Sequence, residues 1–236
     1  MRLPVYRKSY LFHLSDNFLG YRMTKLAVFD LDGTLVDSRQ DLAIAMNCMR
    51  ESFGLPPVSL DAATTFIGGG IKNLVQKATA DAKSEIDQSL ALERMKNFYT
   101  EHLVDTTRLF ENVAEVLHAL HKQNFILAIV SNKDSKETTS IIKHLGIYEL
   151  FSDIIGGDSQ FPLKPEPDSL LYLAKKYSLS PKNCWMIGDH YTDLESGRRA
   201  GFKRIFCTYG FGEQRGENPD YTADSFAQTA DILSDC

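Results

Sequence analysis

A short apolar run followed by acids and a glycine decides the fold, and it reads Leu26-Ala27-Val28-Phe29-Asp30-Leu31-Asp32-Gly33-Thr34-Leu35-Val36-Asp37-Ser38. Its first four residues are all apolar, which is typical of a buried strand in a parallel sheet. Asp30 and Asp32 are two residues apart, so their side chains share one face of an extended chain. The turn expected at Gly33 would present backbone N–H groups to an anion. The stretch therefore predicts a buried strand that delivers two carboxylates.

Strands and helices alternate in the second half of the chain, which predicts an α/β fold with a parallel sheet covered on both faces. We expect four further strands, at 125–130, 153–155, 184–187 and 204–207. Asp134 and Glu137 have the spacing of a capping box, and they predict a helix that packs Ile141 inward and stops at Gly146.

Polar segments follow several of these strands. Ligands of parallel sheets bind beyond the carboxyl ends of the strands, so the segments are expected to meet at one edge. Each is a weak signal alone, but their order and strand context favour a functional site. After the first, quoted above, they read Ser131-Asn132-Lys133, Lys164-Pro165-Glu166-Pro167 and Gly188-Asp189-His190-Tyr191-Thr192-Asp193.

The residue types in these segments indicate phosphoryl chemistry with a metal ion. Asp189 and Asp193, four apart at a helix start, can bring two more carboxylates to one place. Converging carboxylates repel each other unless a cation lies among them, and oxygen ligands of this kind suit Mg²⁺. One carboxylate can then act as a nucleophile. Lys164, together with Ser131 and Asn132, would bind the phosphoryl oxygens.

The interval from Asp41 to about Leu103 reads as a helical insert. It contains no strand-like segment, and apolar residues recur there at helical spacing. We therefore expect a helical domain inserted into the α/β core. The three periodic groups are Leu42, Ala45, Met46 and Met49; Leu74, Val75 and Ala78; and Leu92, Met95 and Tyr99.

Composition limits the class of protein. The 236 residues include 26 Lys and Arg against 31 Asp and Glu, a net charge of −5, which argues against a nucleic-acid partner. No apolar run approaches the roughly 20 residues that a bilayer span needs, so we expect no membrane partner. The cysteines lack zinc-ligand spacing and indicate reduced thiols in a cytoplasmic protein; they are Cys48, Cys184, Cys207 and Cys236.

The first 22 residues differ from the rest in charge. They carry a net charge of +3, and the other 214 carry −8. Their apolar run at 10–14 is too short for a secretory signal. A mitochondrial presequence and translation from Met23 both stay open, and we expect a nonessential extension.

The four polar segments resemble the four motifs of the haloacid dehalogenase superfamily, and within it the chain is similar to the phosphoglycolate phosphatase-like group. This resemblance implies a Rossmann-like core formed by 23–37 and 106–236, with a helical cap at 38–105 and an extension at 1–22. It also implies a Mg²⁺-dependent phosphatase of a small phosphorylated metabolite, with 2-phosphoglycolate as the leading candidate. The similarity to that group rests on the stretches 29–38, 67–75, 188–201 and 209–212.

Carried over residue by residue, the resemblance implies a division of labour. Asp30 is expected to be the nucleophile that forms an aspartyl-phosphate, and Asp32 the general acid that then activates water. Ser131 and Lys164 would hold the transferring group, Lys164 would also orient Asp30, and Gly33 and Asn132 would contribute to the phosphate pocket.

The resemblance also implies the metal ligands. Mg²⁺ would be bound by the Asp30 carboxylate, the Asp32 backbone carbonyl and Asp189, with Asp193 helping directly or through water. An acid at position 32 favours phosphoesters over carbon–halogen bonds, since the dehalogenases lack it.

The cap is where the sequence says least about substrate. Gly69, within Gly68-Gly69-Gly70, could let backbone approach a ligand or belong to a plain interhelix loop. Lys72 could meet a substrate carboxylate, although a solvated lysine is the commoner case. We expect His190 to be an exposed histidine at a helix start.

Three alternatives to a 2-phosphoglycolate phosphatase stay open. A sugar-phosphate phosphatase or a phosphomutase would share the architecture, and a noncatalytic phosphate-binding module would share the fold. A monomer and a homodimer are both compatible with the sequence.

Overall fold

The strands expected from the sequence form one parallel sheet in a computed structural model, which describes residues 24–235. The predicted extension 1–22, Met23 and Cys236 lie outside the described residues. Strand β1 is central, and the sheet order is β5-β4-β1-β6-β7-β8, with every pair parallel. The strands are β1 (Lys25–Phe29), β2 (Val36–Asp37), β3 (Arg108–Leu109), β4 (Phe125–Val130), β5 (Asp153–Ile155), β6 (Cys184–Gly188), β7 (Lys203–Cys207) and β8 (Tyr221–Ala223).

Both faces of the sheet are buried because the central strands β1, β4 and β6 carry no charged or polar side chain except Lys25, at the start of β1. Ala27 and Phe29 of β1 pack into one apolar cluster, and Leu26 and Val28 pack into the cluster on the opposite face. Helices cover both faces, as the alternating pattern predicted. The helices are α1 (Arg39–Glu51), α2 (Leu60–Thr64), α3 (Ile71–Ala78), α4 (Gln88–Glu101), α5 (Val113–Lys122), α6 (Ser135–His144), α7 (Asp168–Lys176), α8 (Tyr191–Ala200) and α9 (Phe226–Asp235).

The interval predicted as a helical cap holds α1 to α4. These helices enclose an apolar cluster of their own, to which Met46, Leu74, Met95 and Tyr99 contribute. The two connections to the sheet pair as the short antiparallel strands β2 and β3. The boundaries 38 and 105 remain a prediction.

The sequence placed the five long-range strands to within one residue of their observed bounds, but it missed β8 and α2. The predicted capping box is wrong: α6 does begin at Ser135, yet the Asp134 side chain accepts no capping hydrogen bond. Asp134 pairs instead with Lys96 of α4, at 2.7 Å. Asp134 therefore forms an ion pair with α4 instead of capping α6.

Two further sequence expectations concern thiols and membranes. Cys48, Cys184 and Cys207 are free cysteines. Among residues 24–235, none of the helices has the length and hydropathy needed to cross a bilayer.

Asp41, fully buried in the first turn of α1, joins the two connections of the cap. Its carboxylate accepts hydrogen bonds from the backbone N–H groups of Thr106 and Thr107, at 2.8–3.0 Å, and from both hydroxyls. Burial raises the pKa of Asp41, but these hydrogen bonds outweigh it and leave the pKa below its usual value. The return connection is therefore fixed to the start of the cap by one charged group.

Replacing this group tests its contribution to stability. We expect Asp41→Asn to lower the free energy of unfolding by about 2 to 3 kcal/mol, since an amide cannot accept all of these hydrogen bonds. Because the folded pKa is depressed, the stabilisation is present above the unfolded pKa and is lost as pH falls through the folded pKa. Urea unfolding of the variant and of Asp61→Asn, an exposed acid in the first turn of α2, measures the difference; equal losses would contradict the role of Asp41.

Candidate active site

The carboxyl ends of β1, β4 and β6 meet under the cap, where they enclose a cavity of about 60 Å³. The core side of this cavity is polar and includes Asp30, Ser131 and Asp189. The cap side is mostly apolar, and its wall is formed by Leu42, Ile67, Gly68, Gly70, Ile71, Leu74 and Tyr99. The predicted ligand edge of the sheet thus borders a cavity between core and cap.

Three carboxylates converge at the floor of the cavity. Carboxylate oxygens of Asp30, Asp189 and Asp193 all lie within 4.8 Å of one another, and all three residues are buried. Asp30 directly follows β1, whereas Asp189 follows β6 and Asp193 lies in the first turn of α8. The four-residue spacing of the last two brings them together, as the sequence predicted.

Lys164 supplies the positive charge for this cluster. Its Nζ lies 2.9 Å from Oδ1 of Asp30 and 2.7 Å from Oδ1 of Asp193, and it donates to the Val130 carbonyl at 2.6 Å. Burial lowers the pKa of Lys164, but the two carboxylates outweigh burial and raise it. The lysine is therefore charged at neutral pH.

One lysine does not balance three buried carboxylates. Burial, followed by the nearby Asp193 and Asp32, raises the pKa of Asp30 to about 6 although Lys164 opposes the shift. Burial, followed by the nearby Asp30 and Asp193, raises the pKa of Asp189 well above its usual value. A divalent cation held by Asp30, Asp189 and Asp193 would offset this charge, and the all-oxygen donor set fits Mg²⁺.

Asp189 is held by backbone as well as by charge. Its Oδ2 accepts hydrogen bonds from the N–H groups of Phe211 and Gly212, and its Oδ1 lies 3.3 Å from the Thr34 hydroxyl. A Cβ at position 33 would lie 2.0 Å from Oδ2, and Gly33 has φ +89°. Glycine is required there for close approach. The sequence predicts that backbone N–H groups of this turn face an anion; the N–H of Gly33 itself donates instead to the Val36 carbonyl.

Asp32 lines the same cavity but belongs to a different set of contacts. Its Oδ1 accepts from the Ser38 hydroxyl and from Lys133 Nζ, the latter at 2.8 Å. Lys133 also donates to the hydroxyl of Tyr99 on α4. The two acids predicted to share a face therefore serve two neighbouring parts of one cavity.

Ser131 and Asn132 lie where the sequence placed them, and both line the cavity. The Ser131 side-chain oxygen accepts from the Lys133 N–H, at 3.3 Å. The Asn132 amide is fully engaged, since Nδ2 donates to the Gly68 and Lys164 carbonyls and Oδ1 accepts from the Lys164 N–H. Asn132 therefore fastens the Gly68 loop of the cap to the core, and its side-chain amide is not free for phosphate.

The expectation of an exposed His190 is wrong. Only 8% of this residue is accessible, and it lines the cavity. It caps α8 reciprocally with Asp193, whose Oδ2 accepts the His190 N–H. Gly68 packs against the imidazole ring, and burial lowers the pKa of His190 to about 4. A neutral imidazole thus separates the carboxylate cluster from the cap.

The two cap residues predicted to bind substrate are not part of the cavity wall. Gly69 lies beside Asn73, whereas its neighbours Gly68 and Gly70 line the cavity. Lys72 is exposed. Their roles in binding remain predictions that the geometry does not support.

Sequence reasoning missed several residues of the cavity wall, among them Lys133, Glu137 and Tyr99. Lys133 directly follows the Ser131-Asn132 segment, so its position in that motif was the available signal. Glu137 was assigned to a capping box; its Oε2 is buried and has no hydrogen-bond partner among the described residues. Tyr99 was recognised only as part of an apolar helix face.

Comparisons with known proteins find relatives over most of the chain. The model of the haloacid dehalogenase-like hydrolase family matches residues 27–207. The chain is 36% identical to a phosphoglycolate phosphatase of Haemophilus influenzae, over 89% of this chain and 98% of that protein. It has the same identity and the same coverage with a phosphoglycolate phosphatase of Pasteurella multocida. A crystal structure of a predicted phosphoglycolate phosphatase from Haemophilus somnus superposes with a TM-score of 0.85 at 35% identity, covering 90% of this chain and 99% of that one.

Proposed function

The chain belongs to the haloacid dehalogenase-like hydrolase family, and on that premise we propose that it is a Mg²⁺-dependent phosphatase whose substrate is 2-phosphoglycolate. The observation that carries the chemistry is the position of Asp30. Its carboxylate faces the cavity beside Lys164 and within the three-carboxylate cluster. A nucleophile, a phosphate-neutralising cation and a metal-binding cluster therefore share one floor.

The reaction divides between Asp30 and Asp32, both of which line the cavity. A carboxylate oxygen of Asp30 attacks phosphorus, the bond to the leaving oxygen breaks with its electron pair, and Asp32 donates a proton to that oxygen. Asp32 then takes a proton from water, which attacks the aspartyl-phosphate and releases phosphate with Asp30 regenerated. Lys164 holds the phosphoryl oxygens throughout. Bound Mg²⁺ would supply further charge neutralisation at the phosphoryl group.

The choice of 2-phosphoglycolate rests on the relatives. Proteins with this name align over nearly their whole length at 36% identity, so core and cap are both represented. We extend the proposal to a cytoplasmic protein that binds a small phosphorylated metabolite and no nucleic acid, as a monomer or homodimer. The net charge of −5 and the free thiols support this.

The test is phosphate release from a panel of esters that contains 2-phosphoglycolate, sugar phosphates, nucleotides and pyrophosphate. We expect release that requires Mg²⁺, stops in chelator and is fastest for 2-phosphoglycolate. Turnover that needs a bisphosphate activator would indicate a phosphomutase. No release from any ester by the folded protein with Mg²⁺ would indicate a phosphate-binding module.

A second candidate, a sugar-phosphate phosphatase, is favoured by Glu137. Its Oε2 is buried without a hydrogen-bond partner among the described residues, and the residue lines the cavity. Asp32 and Asp134, two other acids of the wall, are already paired with Lys133 and Lys96. An unpaired carboxylate would repel a substrate carboxylate and accept a hydrogen bond from a substrate hydroxyl.

Glu137→Gln distinguishes the two substrates. We expect the ratio of kcat/KM for glycerol phosphate over 2-phosphoglycolate to fall about tenfold, because removing the charge weakens the hydroxyl contact and relieves the repulsion. The matched control is Glu115→Gln, in the exposed first turn of α5. An unchanged ratio in Glu137→Gln would show that this carboxylate does not meet the leaving group.

A further inference from the structure

Lys133 connects Asp32 to the cap. It lies just beyond β4, and its side chain is 7% exposed. Its ammonium group contacts Oδ1 of Asp32 at 2.8 Å and donates to the hydroxyl of Tyr99, which is 2% exposed. Lys133 is also the one cationic side chain in the cavity wall among the described residues.

Both donors to Asp32 bind the same oxygen. The Ser38 hydroxyl and Lys133 Nζ each donate to Oδ1, and no described residue donates to Oδ2. A carboxyl group fixed through one oxygen keeps a defined plane while its second oxygen is free to gain and lose a proton. This is the arrangement that a general acid and base needs, because proton transfer requires a donor placed within hydrogen-bond reach.

Residues from both ends of the cap contribute to the contacts around Asp32. Ser38 lies at the start of α1 and Tyr99 lies near the end of α4, so both ends of the cap reach the Asp32 site. Lys133 is engaged by Asp32 and Tyr99 together only when α4 lies over the cavity. Lys133 therefore contacts both Asp32 and Tyr99 only when the cap covers the cavity in this way.

We propose that Lys133 is the positioning residue for Asp32, and that Tyr99 of the cap completes it. This inference rests on the proposed function, in which Asp32 protonates the leaving oxygen. Lys133 keeps its own proton throughout and holds Oδ1, while the proton that moves is carried by Oδ2. Tyr99 fixes the ammonium group, so Asp32 is aligned when the cap covers the substrate.

The test compares leaving groups, because an acid is needed only when the leaving oxygen is strongly basic. An alkyl ester such as glycerol phosphate requires protonation, whereas p-nitrophenyl phosphate does not. We expect Lys133→Met to lower kcat/KM about 100-fold for the alkyl ester and less than about tenfold for the aryl ester. Lys133→Arg should recover part of the loss, and Tyr99→Phe should show a smaller loss with the same selectivity.

The matched control is Lys96→Met. Lys96 forms an ion pair between α4 and the core, to Asp134, and it does not contact Asp32. If Lys133 merely holds the cap closed, Lys96→Met and Lys133→Met will lower kcat/KM for both esters alike. Equal losses for alkyl and aryl esters in Lys133→Met would therefore overturn the proposal.

A crystal structure of Lys133→Met separates failure of this inference from failure of the proposed function. We expect the Asp32 carboxylate to leave the orientation in which Oδ1 meets Ser38. An unchanged carboxylate would overturn the positioning role even if the wild-type protein hydrolyses no ester. Hydrolysis by the wild type with an undisturbed Asp32 in the variant would leave the phosphatase standing and remove Lys133 from it.

Discussion

Asp30→Asn is expected to lower phosphate release by at least about a thousandfold, for every ester that the wild-type protein hydrolyses. The amide has the size of the carboxylate and lines the same cavity, but it is not a nucleophile and cannot form the aspartyl-phosphate. Lys164 would still be present at the floor, so substrate binding should survive in part. Phosphate release at saturating substrate measures the loss, and turnover close to wild type would place the nucleophile elsewhere.

The same variant is expected to be more stable without metal. The folded pKa of Asp30 is about 6, raised by burial and by Asp193 and Asp32 from a value of 3.8. A raised carboxyl pKa means that the charged form is unfavourable in the folded protein, so above pH 6 removing the charge stabilises it. Thermal unfolding in chelator should show the gain at pH 8 and little difference near pH 4.

Asp37→Asn is the control for both effects. Asp37 pairs with Arg39 at 2.9 Å, and this contact lowers its pKa. The same change of charge should therefore reduce stability above the normal pKa and leave turnover unaltered, since Asp37 is not part of the cavity wall. A gain in stability from Asp37→Asn would refute the electrostatic explanation of the Asp30 result.

The sequence predicted the carboxylates of the site because their positions follow almost directly from the order of the strands and helices. Asp30 and Asp189 each follow an apolar strand, and parallel strands deliver their carboxyl ends to one edge. The spacing between Asp189 and Asp193 then needs only one helical turn. Chain order and periodicity are sufficient for such residues.

Contacts between cap and core were not predictable in this way. His190 is buried because Gly68, on a distant loop, packs against its ring, and no local pattern encodes that approach. Lys133 likewise contacts Tyr99, a cap residue that is distant from it in the sequence. The Gly33 N–H is not free to bind an anion because the tight turn that follows returns the Val36 carbonyl to it. In each case the contact depends on the tertiary structure or on the local backbone conformation, and a periodic sequence pattern does not reveal it.

Lys164→Met is expected to reduce both turnover and stability. The lysine is 4% exposed and lies between Asp30 and Asp193, so its loss leaves two buried carboxylates without their cation. Removing one partner of a buried ion pair typically costs about 3–5 kcal/mol, and we expect that loss in chelator. Turnover should fall at least about 100-fold, because the phosphoryl oxygens also lose a positive partner.

A surface lysine tests whether burial is the reason for the stability loss expected in Lys164→Met. Lys176 pairs with Asp153 at 2.6 Å, but its side chain is 39% exposed. Lys176→Met removes the same charge from an equally short ion pair, and it should cost less than about 1 kcal/mol and no activity. Similar stability losses in the two variants would mean that the buried carboxylates do not depend on Lys164.

The double variant Lys164→Met with Asp193→Asn separates stability from chemistry. Removing the Asp193 charge relieves the repulsion that the missing lysine leaves behind, so the double variant should recover about half of the lost stability. Turnover should not recover, since no residue replaces the cation at the phosphoryl group and one carboxylate of the metal-binding cluster is gone. Urea unfolding in chelator and phosphate release with Mg²⁺ measure the two quantities. Recovery of turnover along with stability would show that Lys164 acts only by holding the fold together.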